Sequence, residues 1–129
     1  MAKSWKDGLS VGHPEVDAEH EALVETIDEI ELAVQVTEAD LEVRRLVCRL
    51  ADEVDEHFLS EELLMRQSGS AGLDAHAADH QRLVARLAEL ERQLADGRLA
   101  PSPEMVRWLQ EWFSRHVDRF DRPLRLGER

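Results

Sequence analysis

The chain has no tyrosine and only one cysteine, Cys48. A lone thiol excludes an internal disulfide framework, so packing must hold the fold together, and a reducing compartment such as the cytoplasm suits it. No apolar run approaches the roughly 20 residues of a membrane span. The amino-terminal MAKSWKDG lacks the apolar stretch of a signal peptide. Basic residues are few: 16 Lys and Arg face 28 Asp and Glu, a net charge of -12. That balance argues against nucleic acid and anionic membrane, both of which reward basic patches. The acidic residues are spread along the chain, as on solvated helix faces. Repeats, low-complexity tracts and linkers are absent, so the 129 residues are expected to form one domain with a sizeable core.

What the chain does have is helical periodicity. Four sets of residues recur at steps of three or four: His20, Leu23, Ile27, Ile30 and Val34; Val43, Val47, Leu50, Val54, His57, Glu61 and Leu64; His76, His80, Leu83, Leu87, Leu90 and Leu94; Val106, Leu109, Phe113, His116 and Phe120. Each set lines one face of a helix and should point at a core. No strand-like alternation of useful length competes. Asp17, Asp40 and Asp74 are placed to cap the first three helices, and Ser102 followed by Pro103 to open the fourth. Gly69 and Gly72 punctuate the second connection, Gly97 and Pro101 the third. Short links make consecutive helices antiparallel neighbours. The expected fold is all-α: an antiparallel up-down-up-down four-helix bundle over about residues 17–122, preceded by an N-terminal arm, residues 1–16.

The apolar stripes are interrupted by polar groups. Five of the six histidines, His20, His57, His76, His80 and His116, fall on the four stripes, with Glu61 and Asp121 beside them. Polar side chains in such places need partners, and imidazole with carboxylate suits iron among the transition metals. His57 and Glu61 are four apart, as are His76 and His80, so each pair shares a helix face. His116 and Asp121 are five apart, which a regular α-helix turns roughly 140° from each other. Either a π-bulge loosens the helix there, or a frayed end before Pro123 lets Asp121 swing inward.

Seven side chains are too many for one ion, so two are implied. Two octahedral irons need about twelve donor positions. Five imidazoles, two bridging carboxylates and one oxo or hydroxo bridge leave a single position open, with O2 the obvious small ligand.

With these residues on the page the chain resembles the hemerythrins. The family pattern is a histidine near the start of the first helix, then H-x-x-x-E, H-x-x-x-H and H-x-x-x-x-D. It reads here as V-D-A-E-H ending at His20, H-F-L-S-E from His57, H-A-A-D-H from His76 and H-V-D-R-F-D from His116. The similarity runs from W-K-D-G-L-S-V-G at Trp5 to Asp121. It implies that His76, His80 and His116 hold one iron, His20 and His57 hold the other and leave it open to O2, and Glu61 and Asp121 bridge them. It also implies reversible O2 binding by a carrier, store or delivery protein rather than an enzyme. The family's tyrosines, in the loop before H-x-x-x-H and near the carboxyl end, are missing here.

Other readings stand beside this one. A di-iron oxidase or peroxidase is one alternative; an O2 sensor acting through a separate partner is another. Oxygen-activating di-iron bundles use E-x-x-H pairs and more carboxylates, whereas this set has five imidazoles against two acids. A monomer is expected. His13, between Gly12 and Pro14, reads as a loop residue off the seams. Phe58, Trp112 and Phe113 read first as core packing and second as an apolar wall around the irons. Met65 reads as filler and Cys48 as structural. Asp118 and Glu62 stand next to ligand positions but are expected to face elsewhere.

Overall fold

The computed structural model describes residues 14–36, 40–69 and 71–121, without the side chains of Phe120 and Asp121. Residues 1–13, including His13, and Pro123 lie outside the described residues, while positions 14–16, expected in the arm, already belong to the first helix. Four α-helices appear among those described: α1 Pro14–Val34, α2 Asp40–Ser68, α3 Leu73–Ala95 and α4 Pro103–His116. A π-helical segment, Val117–Asp121, continues α4. Helix α1 packs on α2 and α4, and α2 packs on α3. Helices α3 and α4 meet through side chains, with the Arg86 guanidinium 5.4 Å over the Trp108 ring. This is the up-down-up-down bundle that the periodicity demands.

Each stripe is buried as expected, apart from half-buried Val34 and Leu64 and the undescribed Phe120. The apolar residues of all four helices form one core. Burial also takes in Val16, Leu46, Phe58, Met65, Met105 and Val117, since a packed helix face is wider than one row of steps. Thr26 is buried too; Glu53 and Arg49 on α2 bond its hydroxyl.

The helix ends differ from expectation in two places. Helix α1 starts at Pro14, so Asp17 lies inside its first turn, where a negative charge still favours the helix dipole. The N-cap of α3 is Gly72 in the left-handed region, φ 86°, with no side-chain cap, so Asp74 is already helical. Helix α2 has Asp40 as its first helical residue, with position 39 outside the described residues. Ser102 caps α4 by accepting the Met105 N–H, with Pro103 at the first turn. The end of α3 closes as a Schellman motif: Arg98 N–H donates to the Gln93 carbonyl and Gly97 N–H to Leu94, with Gly97 at φ 74°.

Candidate metal centre

All five stripe histidines and Glu61 are buried, and the bundle brings them together at one end of the core. His20 comes from α1, His57 and Glu61 from α2, His76 and His80 from α3, and His116 from the end of α4. Glu61 sits at the centre. Its Oε1 lies 3.1 Å from His80 Nε2, 3.4 Å from His76 Nε2 and 3.7 Å from His116 Nε2. Its Oε2 lies 3.3 Å from His57 Nε2 and 4.0 Å from His20 Nε2. His20 and His57 bring their Nε2 atoms within 3.1 Å of each other. The donors therefore divide into Glu61, His76, His80 and His116 on one side and His20, His57 and Glu61 on the other. One carboxylate oxygen faces each group.

The π segment at Val117–Asp121 is the loosened end that a five-residue spacing calls for. Its wider turn carries the fifth residue back toward the face of the first. Asp121 belongs to this segment, and its side chain lies outside the described residues.

Three carboxylates stand behind the imidazoles. Nδ1 of His57 meets Glu19 Oε1 at 2.8 Å, Nδ1 of His80 meets Glu62 Oε2 at 2.9 Å, and Nδ1 of His116 meets Asp79 Oδ2 at 2.8 Å. Glu62 thus turns to His80, against the expectation that it faces away, while Asp118 is exposed as expected. Glu19 and Asp79 escape sequence reasoning as well. A usable signal exists, because each of the three is the immediate neighbour of a stripe ligand. One step along a helix rotates by about 100°, away from the core and toward the next helix.

Aromatic rings close the centre from the core side. Phe58 stacks on His80 with centroids 3.6 Å apart, Trp112 stacks on His116 at 5.4 Å, and Phe113 meets His20 edge-on at 5.3 Å. The packing and wall readings of these residues describe the same contacts.

The donor set fits a pair of cations. A carboxylate offers about four acceptor sites, yet five imidazole Nε2 atoms converge on Glu61, whose Oε2 makes no hydrogen bond among the described residues. His57, His80 and His116 already serve carboxylates through Nδ1. To donate to Glu61 through Nε2 as well, each would have to be a charged imidazolium. His80 and His116 have centroids only 5.0 Å apart, so such charges repel. A metal in place of the protons removes the conflict. Metal–donor bonds of about 2.1 Å at right angles also put neighbouring donors about 3 Å apart, close to the spacings found. Burial pushes the Glu61 carboxyl up, but the imidazoles of His116, His57, His76 and His80 outweigh it and hold the group well below the usual carboxylate range. Glu61 is therefore an anion ready for a cation. For Asp79, the hydrogen bond from His116 outweighs burial and, with Arg82, lowers the carboxyl.

Comparison with known proteins points the same way. The family model described as "Hemerythrin HHE cation binding domain" matches residues 11–124. A bacteriohemerythrin from Ralstonia nicotianae is 31% identical over 92% of this chain and 82% of its own length. A myohemerythrin from Riftia pachyptila is 28% identical over 91% of this chain and 86% of its own. The crystal structure of a wild-type hemerythrin superposes with a TM-score of 0.86 over 99% of this chain and 98% of that one, at 22% identity.

Proposed function

We propose, from the premise that the chain belongs to the hemerythrin family, that it binds O2 reversibly at a di-iron centre. His76, His80 and His116 would hold one iron, His20 and His57 the other, and Glu61 and Asp121 would serve both. The observation that carries this reading is the Glu61 carboxylate, with Oε1 facing three imidazoles and Oε2 facing two. When bound, the iron pair supplies two electrons and one open coordination position for O2.

The chain's own residues set the terms. Glu61 neutralises part of the metal charge and ties the two halves together. The group of three imidazoles offers its iron one more donor than the group of two, so room for O2 would lie beside His20 and His57. Phe113 lies against His20 there, and the apolar core behind it restricts water. With five imidazoles against two carboxylates, the site favours holding O2 over cleaving it, so we take the protein as a carrier, store or delivery protein and not an enzyme. A single cysteine suits the cytoplasm. No helix among the described residues is long and apolar enough to cross a membrane.

The test is optical. Anaerobic ferrous protein, colourless, should turn strongly coloured in air and bleach again under argon. Continuous O2 uptake in the presence of a reductant, with no reversible coloured form, overturns the carrier reading in favour of an oxidase.

A further inference from the structure

The ligand set leaves unexplained why three acidic side chains spend themselves on the outer nitrogens of buried histidines. Their arrangement follows one rule. Glu19 of α1 reaches His57 of α2, Glu62 of α2 reaches His80 of α3, and Asp79 of α3 reaches His116 of α4. Each carboxylate is the sequence neighbour of a residue facing the centre: Glu19 of His20, Glu62 of Glu61, Asp79 of His80. On each helix, then, one residue points into the centre and the next points sideways to the imidazole of the following helix. Every consecutive pair of helices carries one such bond.

We propose that Glu19, Glu62 and Asp79 are positioning residues that aim three imidazoles and set the electronic character of each iron separately. The proposal rests on the di-iron reading above. A carboxylate can only accept, so it holds the proton on Nδ1 and leaves the Nε2 lone pair for the centre. It also raises the donor strength of the ring it serves. Geometry keeps the rings in place from both sides. His80 is clamped between Glu62 at 2.9 Å and the stacked Phe58 ring at 3.6 Å. His116 is clamped between Asp79 at 2.8 Å and the stacked Trp112 ring at 5.4 Å. Arg82 anchors Asp79 in turn, at 3.3 Å.

The division between the irons makes this specific. Glu62 and Asp79 serve His80 and His116, both in the three-imidazole group, whereas Glu19 serves His57 in the two-imidazole group. Among the described residues, Glu62 and Asp79 stand behind the first group and Glu19 behind the second. Glu19, the more exposed of the three at 35%, governs the iron that leaves room for O2.

The experiment uses the full chain loaded with 57Fe. Glu19→Ala, Glu62→Ala and Asp79→Ala are compared with Glu19→Gln, Glu62→Gln and Asp79→Asn, with helicity checked by circular dichroism. Iron content, the rate of iron loss to a chelator, Mössbauer spectra and reduction midpoints are recorded. Each alanine variant should lose iron roughly 10–100-fold faster than the parent. Glu19→Ala should alter one Mössbauer component, and Glu62→Ala and Asp79→Ala the other. The amide variants can still accept the Nδ1–H, so they should recover most of the iron retention while the midpoint rises with loss of the negative charge. Alanine variants that retain iron like the parent, or that weaken both components equally, overturn the proposal. If an alanine variant fails to fold, the amide variant's midpoint decides. A parent chain that takes up no iron pair sinks the di-iron reading itself, a result separate from any of these.

Discussion

Glu61 is the residue on which most depends. It is fully buried, and it faces five imidazoles. An ordinary buried glutamate would protonate; this one stays charged because the imidazoles outweigh its desolvation. Glu61 belongs to both donor groups, so elemental analysis of Glu61→Ala should find both irons depleted. His20→Ala should cost chiefly the iron on the two-imidazole side. Loss of a single iron from Glu61→Ala would show that the carboxylate serves only one. Cys48 offers a contrasting test at the surface. It lies in a groove between α2 and α3, where its thiol donates to Glu91 at 3.5 Å. Partial burial first, then the negative charge of Glu91, pushes the thiol above its ordinary value. Less thiolate is present at pH 7–8 than in free cysteine, for which the pKa is about 8.5. Iodoacetamide should therefore label Cys48 more slowly than free cysteine. Glu91→Gln should speed the reaction only in part, since burial remains. Labelling as fast as free cysteine would contradict the geometry.

At the scale of elements, α4 combines two local rules. Ser102 and Pro103 start it, as their sequence positions require. Ser102→Ala should cost about 1 kcal/mol, read as a lower urea midpoint with iron content unchanged. The other end is less regular. The π segment Val117–Asp121 trades good α-helical bonds for a wider turn, a cost that needs a return elsewhere. The bridge proposed for Asp121 would be that return. Asp121→Ala should thus weaken iron retention while leaving the bundle folded. Parent-like iron content and O2 binding in that variant would show that the spacing serves another purpose.

At the scale of the molecule, the bundle is a core with a polar end. Five buried imidazoles and a buried carboxylate are expensive without partners, on the order of 1–3 kcal/mol each. Iron should raise the melting temperature markedly. Acid should strip the iron before the helices melt, because protons compete with metal for imidazole. Scanning calorimetry with and without metal, together with iron release followed against pH, checks both statements. Equal melting temperatures would mean that the polar groups are satisfied without a metal.

The sequence by itself determined the four helices and their inward faces, because steps of three and four residues are a local property of the chain. It also determined which histidines belong together, since ligands interrupt those same stripes. The cap at Ser102 and the need for a loosened turn between His116 and Asp121 were legible for the same local reason. Only the tertiary structure decided what depends on neighbours across helices. Asp17 and Asp74 look like caps, but the helix starts are placed elsewhere. Glu62 looks idle beside Glu61 until α3 brings His80 within 2.9 Å. Glu19 and Asp79 carry no periodic signal, because they lie one step off the core face and act on the next helix. The division of Glu61 between its two groups of imidazoles is likewise a fact of packing: no spacing along one helix says which oxygen faces which neighbour.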